Sequence, residues 1–159
     1  MRRVVEVLAR AVIVRRGRFL VAHGVGAGHT YLPGGHAEPR EGLRACLVRE
    51  LREELGVRAE VGRYLGAVEH AWSDADGPHE EVSHFFVARV PGLEDPPVSM
   101  ERGLEFLWLP ARELARRGLE PSPLRARLAE WPRSRRGGWW SSTIEPARGG
   151  APRGARRRR

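Results

Sequence analysis

The sequence predicts an α/β (α+β) domain in which a mixed β-sheet is sandwiched between helices, an α/β/α arrangement. Three observations point to it. β-rich runs open the chain and recur after residue 57, one strongly amphipathic segment interrupts them at residues 42–55, and two shorter helical segments follow the last run. Strands, helix, strands, helices is the order expected when helices cover both faces of a sheet. A chain of 159 residues is long enough for one domain with its own core and short for two.

The first run, Val4 to Val14, stops at Arg15-Arg16-Gly17, a turn ahead of Phe19-Leu20-Val21-Ala22, and the two runs read as a hairpin. Three glycines between Gly24 and Gly28 mark a loop leading into Tyr31-Leu32-Pro33-Gly34-Gly35. The helix then runs from about Gly42 to Leu55. Leu43, Leu47, Leu51 and Leu55 form its apolar stripe and Gly56 its stop. Gly42 caps it less well than Ser or Thr, at a cost of a few tenths of a kcal/mol. Arg58 to Val68 reads as a strand and Ser73 to Pro78 as a loop. Val82 to Val90 is an inner strand ended by Pro91-Gly92. Past a loop at Glu94 to Ser99, Leu104 to Leu109 forms a short strand, Pro110 starts a helix through Ala115, and Ser122-Pro123 opens another through about Glu130.

The domain is therefore assigned to residues 1–130. Residues 131–159 are rich in Arg, Gly and Pro and lack apolar periodicity, so they read as a disordered tail unable to bury enough apolar area to offset its ordering entropy. Trp139 and Trp140 stand out within it, and docking on the domain, contact with a partner and simple exposure are all left open. The tail also carries the charge. Of 28 Arg and 20 acidic residues, nine Arg and one Glu lie in residues 131–159, which leaves 19 of each in residues 1–130. The net charge of +8 thus belongs to the tail, and the domain itself is neutral. The single cysteine, Cys46, excludes an intrachain disulfide framework and reads as a buried structural thiol beside the apolar stripe. No apolar run reaches the roughly 20 residues needed to span a bilayer, so no membrane contact is expected and the protein is read as cytoplasmic.

The chemistry lies on the amphipathic helix. At 100° per residue Glu50, Glu53 and Glu54 fall within an arc of about 100°, along the edge of the Leu stripe. Three like charges that close, on the border of a buried face, call for a cation, and hard oxygen donors favour Mg²⁺ or Mn²⁺ over zinc. The six histidines, at positions 23, 29, 36, 70, 79 and 84, lack the i,i+4 spacing of a zinc site. Among them His36 and His84 are candidates for substrate contact, weighed against structural or solvated roles. Trp72, beside the Ser73 to Pro78 loop, is a candidate for stacking on a base or ribose, weighed against core packing.

The segment from Gly35 to Val57 resembles, at every fixed position, the signature of the Nudix hydrolases, G-x5-E-x7-R-E-U-x-E-E-x-G-U, where U is a bulky aliphatic residue. The positions are Gly35, Glu41, Arg49, Glu50, Leu51, Glu53, Glu54, Gly56 and Val57. Arg40, where many relatives have Gly, departs at a variable position of the loop. The resemblance implies a Nudix fold, Glu53 and Glu54 as principal Mg²⁺ ligands with the Gly34 carbonyl, and Glu50 as a further ligand or as the base that positions water. It implies that Arg49 orients a carboxylate and that Glu41, with Gly35, supports the junction of loop and helix. It further implies an additional carboxylate from outside the signature, for which Glu81 and Glu105 are the candidates, and allows a homodimer. The expected reaction is hydrolysis of the pyrophosphate bond of a nucleoside diphosphate derivative such as ADP-ribose, a nucleotide sugar, a nucleoside triphosphate or a dinucleoside polyphosphate. Two other readings stand beside it. One is pyrophosphohydrolysis of RNA 5′ ends, with the basic tail touching nucleic acid. The other is a ligand sensor without catalysis, disfavoured by the intact three-Glu patch.

Overall fold

Alternation along the first strands separates two buried faces, and the fold follows from covering both. In the computed structural model, which describes residues 4–131 and 136–144, the chain forms β1 (Glu6–Val12), β2 (Val14–Arg15), β3 (Arg18–Gly24), β4 (Gly34–His36), α1 (Leu43–Leu55), β5 (Glu60–Asp74), β6 (Gly77–Arg89), β7 (Leu104–Pro110), α2 (Ala111–Leu114), α3 (Pro123–Ala129) and β8 (Trp139–Ser142). A five-stranded sheet has the order β4-β1-β6-β5-β8, and a second sheet the order β2-β3-β7. The larger sheet is mixed: β1 runs parallel to β6 and antiparallel to β4, while β5 runs antiparallel to β6 and parallel to β8.

One core cluster joins Cys46, Leu47, Leu51 and Leu55 of α1 to Ala9, Ala11, Leu20, Ala22 and Phe86. The other joins Leu114, Leu119, Leu124 and Leu128, around α2 and α3, to Val12, Phe19, Val21, Val68 and Phe85. Phe19-Leu20-Val21-Ala22 contributes alternately to both, which is why β3 reads as an unbroken apolar run. The sheets are thus covered on both sides, as the order of elements predicts. Gly56 ends α1 in the left-handed conformation with φ 68°, its N–H bonded to the Arg52 carbonyl.

Three expectations are corrected. Val4 to Val14 is not one strand of a hairpin. The chain changes sheet at Ile13, and only β2 pairs with β3, across a tight turn in which Arg16 and Gly17 both have positive φ. The loop expected from Ser73 to Pro78 shrinks to Ala75-Asp76, because β5 and β6 pair as far as Asp74 and Gly77 and the Asp74 carboxylate accepts the Asp76 N–H at 2.9 Å. Finally, Trp139–Ser142 of the expected tail forms β8, paired with β5 from Gly66 to Glu69. The Trp139 indole packs against Phe85 with ring centroids 5.4 Å apart, and its apolar area supplies what the surrounding composition lacks. Residues 132–135 and 145–159 of that segment lie outside the described residues.

Candidate active site

Two glycines let the helix lie against the sheet edge. Gly34 and Gly35 of β4 sit opposite Arg10 and Ala9 of β1. A Cβ on Gly35 would come within 2.7 Å of both oxygens of the Glu50 carboxylate, and one on Gly34 would run into the Ala9 carbonyl. The Glu50 carboxylate therefore rests on the β4 backbone in space that only glycine leaves open. One turn further along α1, Glu54 is buried, with 4% of its surface exposed. Its Oε2 accepts the Gly34 N–H at 3.1 Å. Burial pushes its carboxyl up to about 8, against the opposing pull of that N–H and of Arg10. Glu53 is the solvent-side member, its side chain 58% exposed.

Arg49 organises the rest of the patch. Its Nε and Nη2 donate to the two oxygens of Glu41, each at 2.8 Å, its Nη1 donates to Glu50 at 2.8 Å and to Glu53 at 3.2 Å, and its Nη2 also reaches the His36 carbonyl at 3.0 Å. The bidentate Arg49 pair, aided by the Glu38 N–H, holds the Glu41 carboxyl down to about 2. Loop and helix are thereby tied together. Glu50 and Glu53 are drawn to Arg49 and Glu54 to Gly34, and among the described residues no three Asp, Glu, His or Cys side chains converge on one point. Cys46 lies beneath, buried, its Sγ 3.6 Å from the Gly35 carbonyl and its thiol pushed up to about 11 by burial.

Sequence reasoning missed three neighbours of this patch. Arg10 donates through Nη1 to the carbonyls of Gly34 at 2.6 Å and Leu32 at 3.1 Å, with its guanidinium 5.0 Å from the centre of the Tyr31 ring. The Gly34 carbonyl, expected as a metal ligand, thus already accepts a guanidinium N–H, with its second lone pair left over. Tyr31 is held by β3 through paired hydrogen bonds with Ala22, and burial raises its phenol. Glu101, in the loop ahead of β7, acts electrostatically on both Glu54 and Tyr31. Residue type and position in the sequence single out none of them; the pairing of β1 with β4 and the path of the 93–103 loop do.

Beside Arg10 and Tyr31 opens a cavity of about 600 Å³, also lined by Leu8, His36, His70, Trp72, Glu81 and Phe85. The structure brings His36, Trp72 and Glu81 to this cavity. His36 pairs with Glu6 at 3.2 Å, and Trp72 stacks on His79 with ring centroids 4.1 Å apart rather than packing in the core. Glu81 shares its sheet face with Phe85, whereas Glu50 approaches Gly35 from the α1 face, so the sheet separates Glu81 from the helical carboxylates. The two remaining candidates lie elsewhere. Glu105 is paired with His23 at 3.1 Å on the smaller sheet, its side chain 57% exposed. His84 faces the α1 side, where Tyr64 is its partner at 3.1 Å and burial lowers its pKa.

The fold, the glycine cradle and the charged helix edge define a class, and comparison with known proteins gives the same one. The model of the NUDIX domain matches residues 5–131, and the chain belongs to that family. Among its relatives, CTP pyrophosphohydrolase of Escherichia coli is 40% identical over 88 residues, 46% of this chain and 64% of that protein. Isopentenyl-diphosphate Delta-isomerase of Cereibacter sphaeroides is 35% identical over 119 residues, 69% of this chain and 66% of that protein. The chain thus spans slightly less than two thirds of the length of these curated relatives. Among solved structures, the MutT NUDIX hydrolase from Burkholderia pseudomallei superposes with a TM-score of 0.66 at 26% identity, covering 79% of this chain and 98% of that one. No described helix is long and apolar enough to cross a membrane.

Proposed function

We propose that the chain hydrolyses a pyrophosphate bond in a nucleoside diphosphate derivative, with Mg²⁺, or Mn²⁺ in its place, as cofactor. Glu54 carries the argument. It is a buried carboxylate with one N–H bond and the field of Arg10 to favour its charge, and Glu50 and Glu101 add negative charge nearby. A charge so placed is tolerated when a cation compensates it. The donors at the β4 edge are all hard oxygens, and the space over Gly35 that a Cβ would fill is taken by a carboxylate. These residues fit a divalent cation.

Glu50, Glu53 and Glu54, with the Gly34 carbonyl, would hold it. When bound, such a cation polarises phosphate oxygens and lowers the pKa of a coordinated water. The protein's own residues do the rest. Arg49, locked on Glu41, fixes Glu50 relative to the β4 backbone. Glu101, beside Glu54, is the carboxylate outside the helix suited to accept a proton from the attacking water. Arg10, between Gly34 and the cavity, is the guanidinium suited to meet the phosphates. A pyrophosphohydrolase among the relatives supports the reaction class.

Glu53→Gln and Glu54→Gln should each lower Mg²⁺-dependent turnover of nucleoside diphosphate derivatives by at least about 100-fold, since charge stabilisation of this kind is worth several kcal/mol. Full activity in either folded variant overturns the proposal. A second reading, isomerisation of a diphosphate ester with the anhydride left intact, is supported by the isomerase relative. Isopentenyl diphosphate assayed alongside CTP separates the two, because only hydrolysis releases phosphate products.

A further inference from the structure

The cavity contains a polar group that phosphate chemistry leaves unused. Glu81 is 8% exposed and lines the cavity among Leu8, Trp72 and Phe85. One of its oxygens accepts the Ser83 hydroxyl at 3.2 Å, and among the described residues the other accepts nothing. Of the polar side chains beside it, His36 pairs with Glu6, and Nδ1 of His70, opposite Glu81 on β5, meets the Thr143 hydroxyl at 2.9 Å. A carboxylate buried to this degree and open only toward a cavity wants a hydrogen-bond donor from whatever enters.

We infer that Glu81 is a specificity-determining residue which selects a nucleobase bearing an exocyclic amino group; this rests on the proposed hydrolase reading. The cavity suits a flat ring, with the Trp72 indole, braced by His79, and Phe85 in its wall. Arg10 reaches from the cavity to the Gly34 carbonyl on the edge strand β4, so the phosphates of a base held in the cavity have a path round that edge to the α1 carboxylates on the other face. An ionised carboxylate only accepts hydrogen bonds. The amino group of cytosine or adenine donates to it, as in the pairing of carboxylates with the cytosine amine. The carbonyl oxygen that replaces that amine in uracil or hypoxanthine turns lone pairs toward Glu81 where the amine would donate.

The test uses pairs that differ in this one substituent, CMP against UMP and AMP against IMP. Binding to the full chain is measured by calorimetry without metal, and turnover of the corresponding triphosphates with Mg²⁺. The amino member of at least one pair should bind at least about 10-fold more tightly than its oxo counterpart, the discrimination expected of one hydrogen bond to a charged group. Glu81→Gln keeps the side-chain volume and the Ser83 contact, and its amide turns either way. It should abolish the preference while leaving the thermal midpoint within a few degrees. Equal binding of both members in both pairs overturns the inference, as does a preference that survives in Glu81→Gln. A preference in binding without any turnover would overturn the hydrolase reading and leave the role of Glu81 standing.

Discussion

Replacing Glu54 by Gln should make the metal-free protein more stable in mild alkali, and the size of the effect follows from its burial. The Glu54 carboxyl titrates near 8 in the folded protein against an ordinary value of 4.5. Because the folded value is raised, its contribution to stability is fully present below 4.5 and is lost as the pH climbs through 8. Each pH unit inside that window costs about 1.4 kcal/mol, so the whole loss is on the order of 5 kcal/mol. Glu41, held down to about 2, contributes in the opposite sense but only below its ordinary value, outside this window. His84, whose pKa burial lowers, is common to both proteins and cancels in the comparison. Urea denaturation of the wild type and of Glu54→Gln, at about pH 5 and about pH 8 with a chelator, isolates the Glu54 contribution as the difference between their pH slopes. Millimolar Mg²⁺ should restore the wild type at the higher pH and leave Glu54→Gln unchanged. Parallel pH profiles of the two proteins, or a wild type indifferent to Mg²⁺, would refute the burial argument and with it the assignment of a cation to this edge.

Other outcomes follow from the same structure. Arg49→Lys retains the charge but loses the bidentate grip on Glu41, so turnover should fall at least about 10-fold in steady-state assays, with a cost in stability of about 1 kcal/mol. Gly66→Ala should lower stability by about 2 kcal/mol in chemical denaturation, because Gly66 has φ 152° and an added Cβ would strike the Trp139 carbonyl. Truncation after Ile144 should leave nucleotide turnover and the thermal midpoint unchanged, whereas truncation after Trp131 removes β8 and should lower the midpoint by several degrees. If the shorter truncation instead abolished turnover on RNA 5′ ends while sparing free nucleotides, the basic tail would be an RNA-binding element.

The sequence was informative where one element carried its own explanation. The four-residue spacing of Leu43, Leu47, Leu51 and Leu55 and the stop at Gly56 specify α1, and its geometry alone places Glu50, Glu53 and Glu54 on one edge. The resemblance gives Arg49 a carboxylate to orient and Glu41 the junction of loop and helix to support, without joining the two; the structure pairs them. What stayed hidden depends on contacts between distant segments. Arg10 reads as an ordinary polar position in an alternating strand until β1 pairs with β4 and sets it on the Gly34 carbonyl. Glu101 and Glu105 are four residues apart, and the path of the loop, not residue type, turns one toward Glu54 and the other toward His23. Composition marks residues 131–159 as poor in core-forming residues, but Trp139 with its docking place at Gly66 and Phe85 outweighs the local average.

The role proposed for the carboxylates of α1 at the Gly34–Gly35 edge is to support metal-dependent cleavage of a phosphoric anhydride. Phosphorus NMR of a nucleoside triphosphate incubated with the full chain tests it most directly. Monophosphate and pyrophosphate resonances should appear only when Mg²⁺ or Mn²⁺ is present, and should be absent with Glu54→Gln. Cleavage that proceeds equally in a chelator, or with Glu54→Gln, would contradict it.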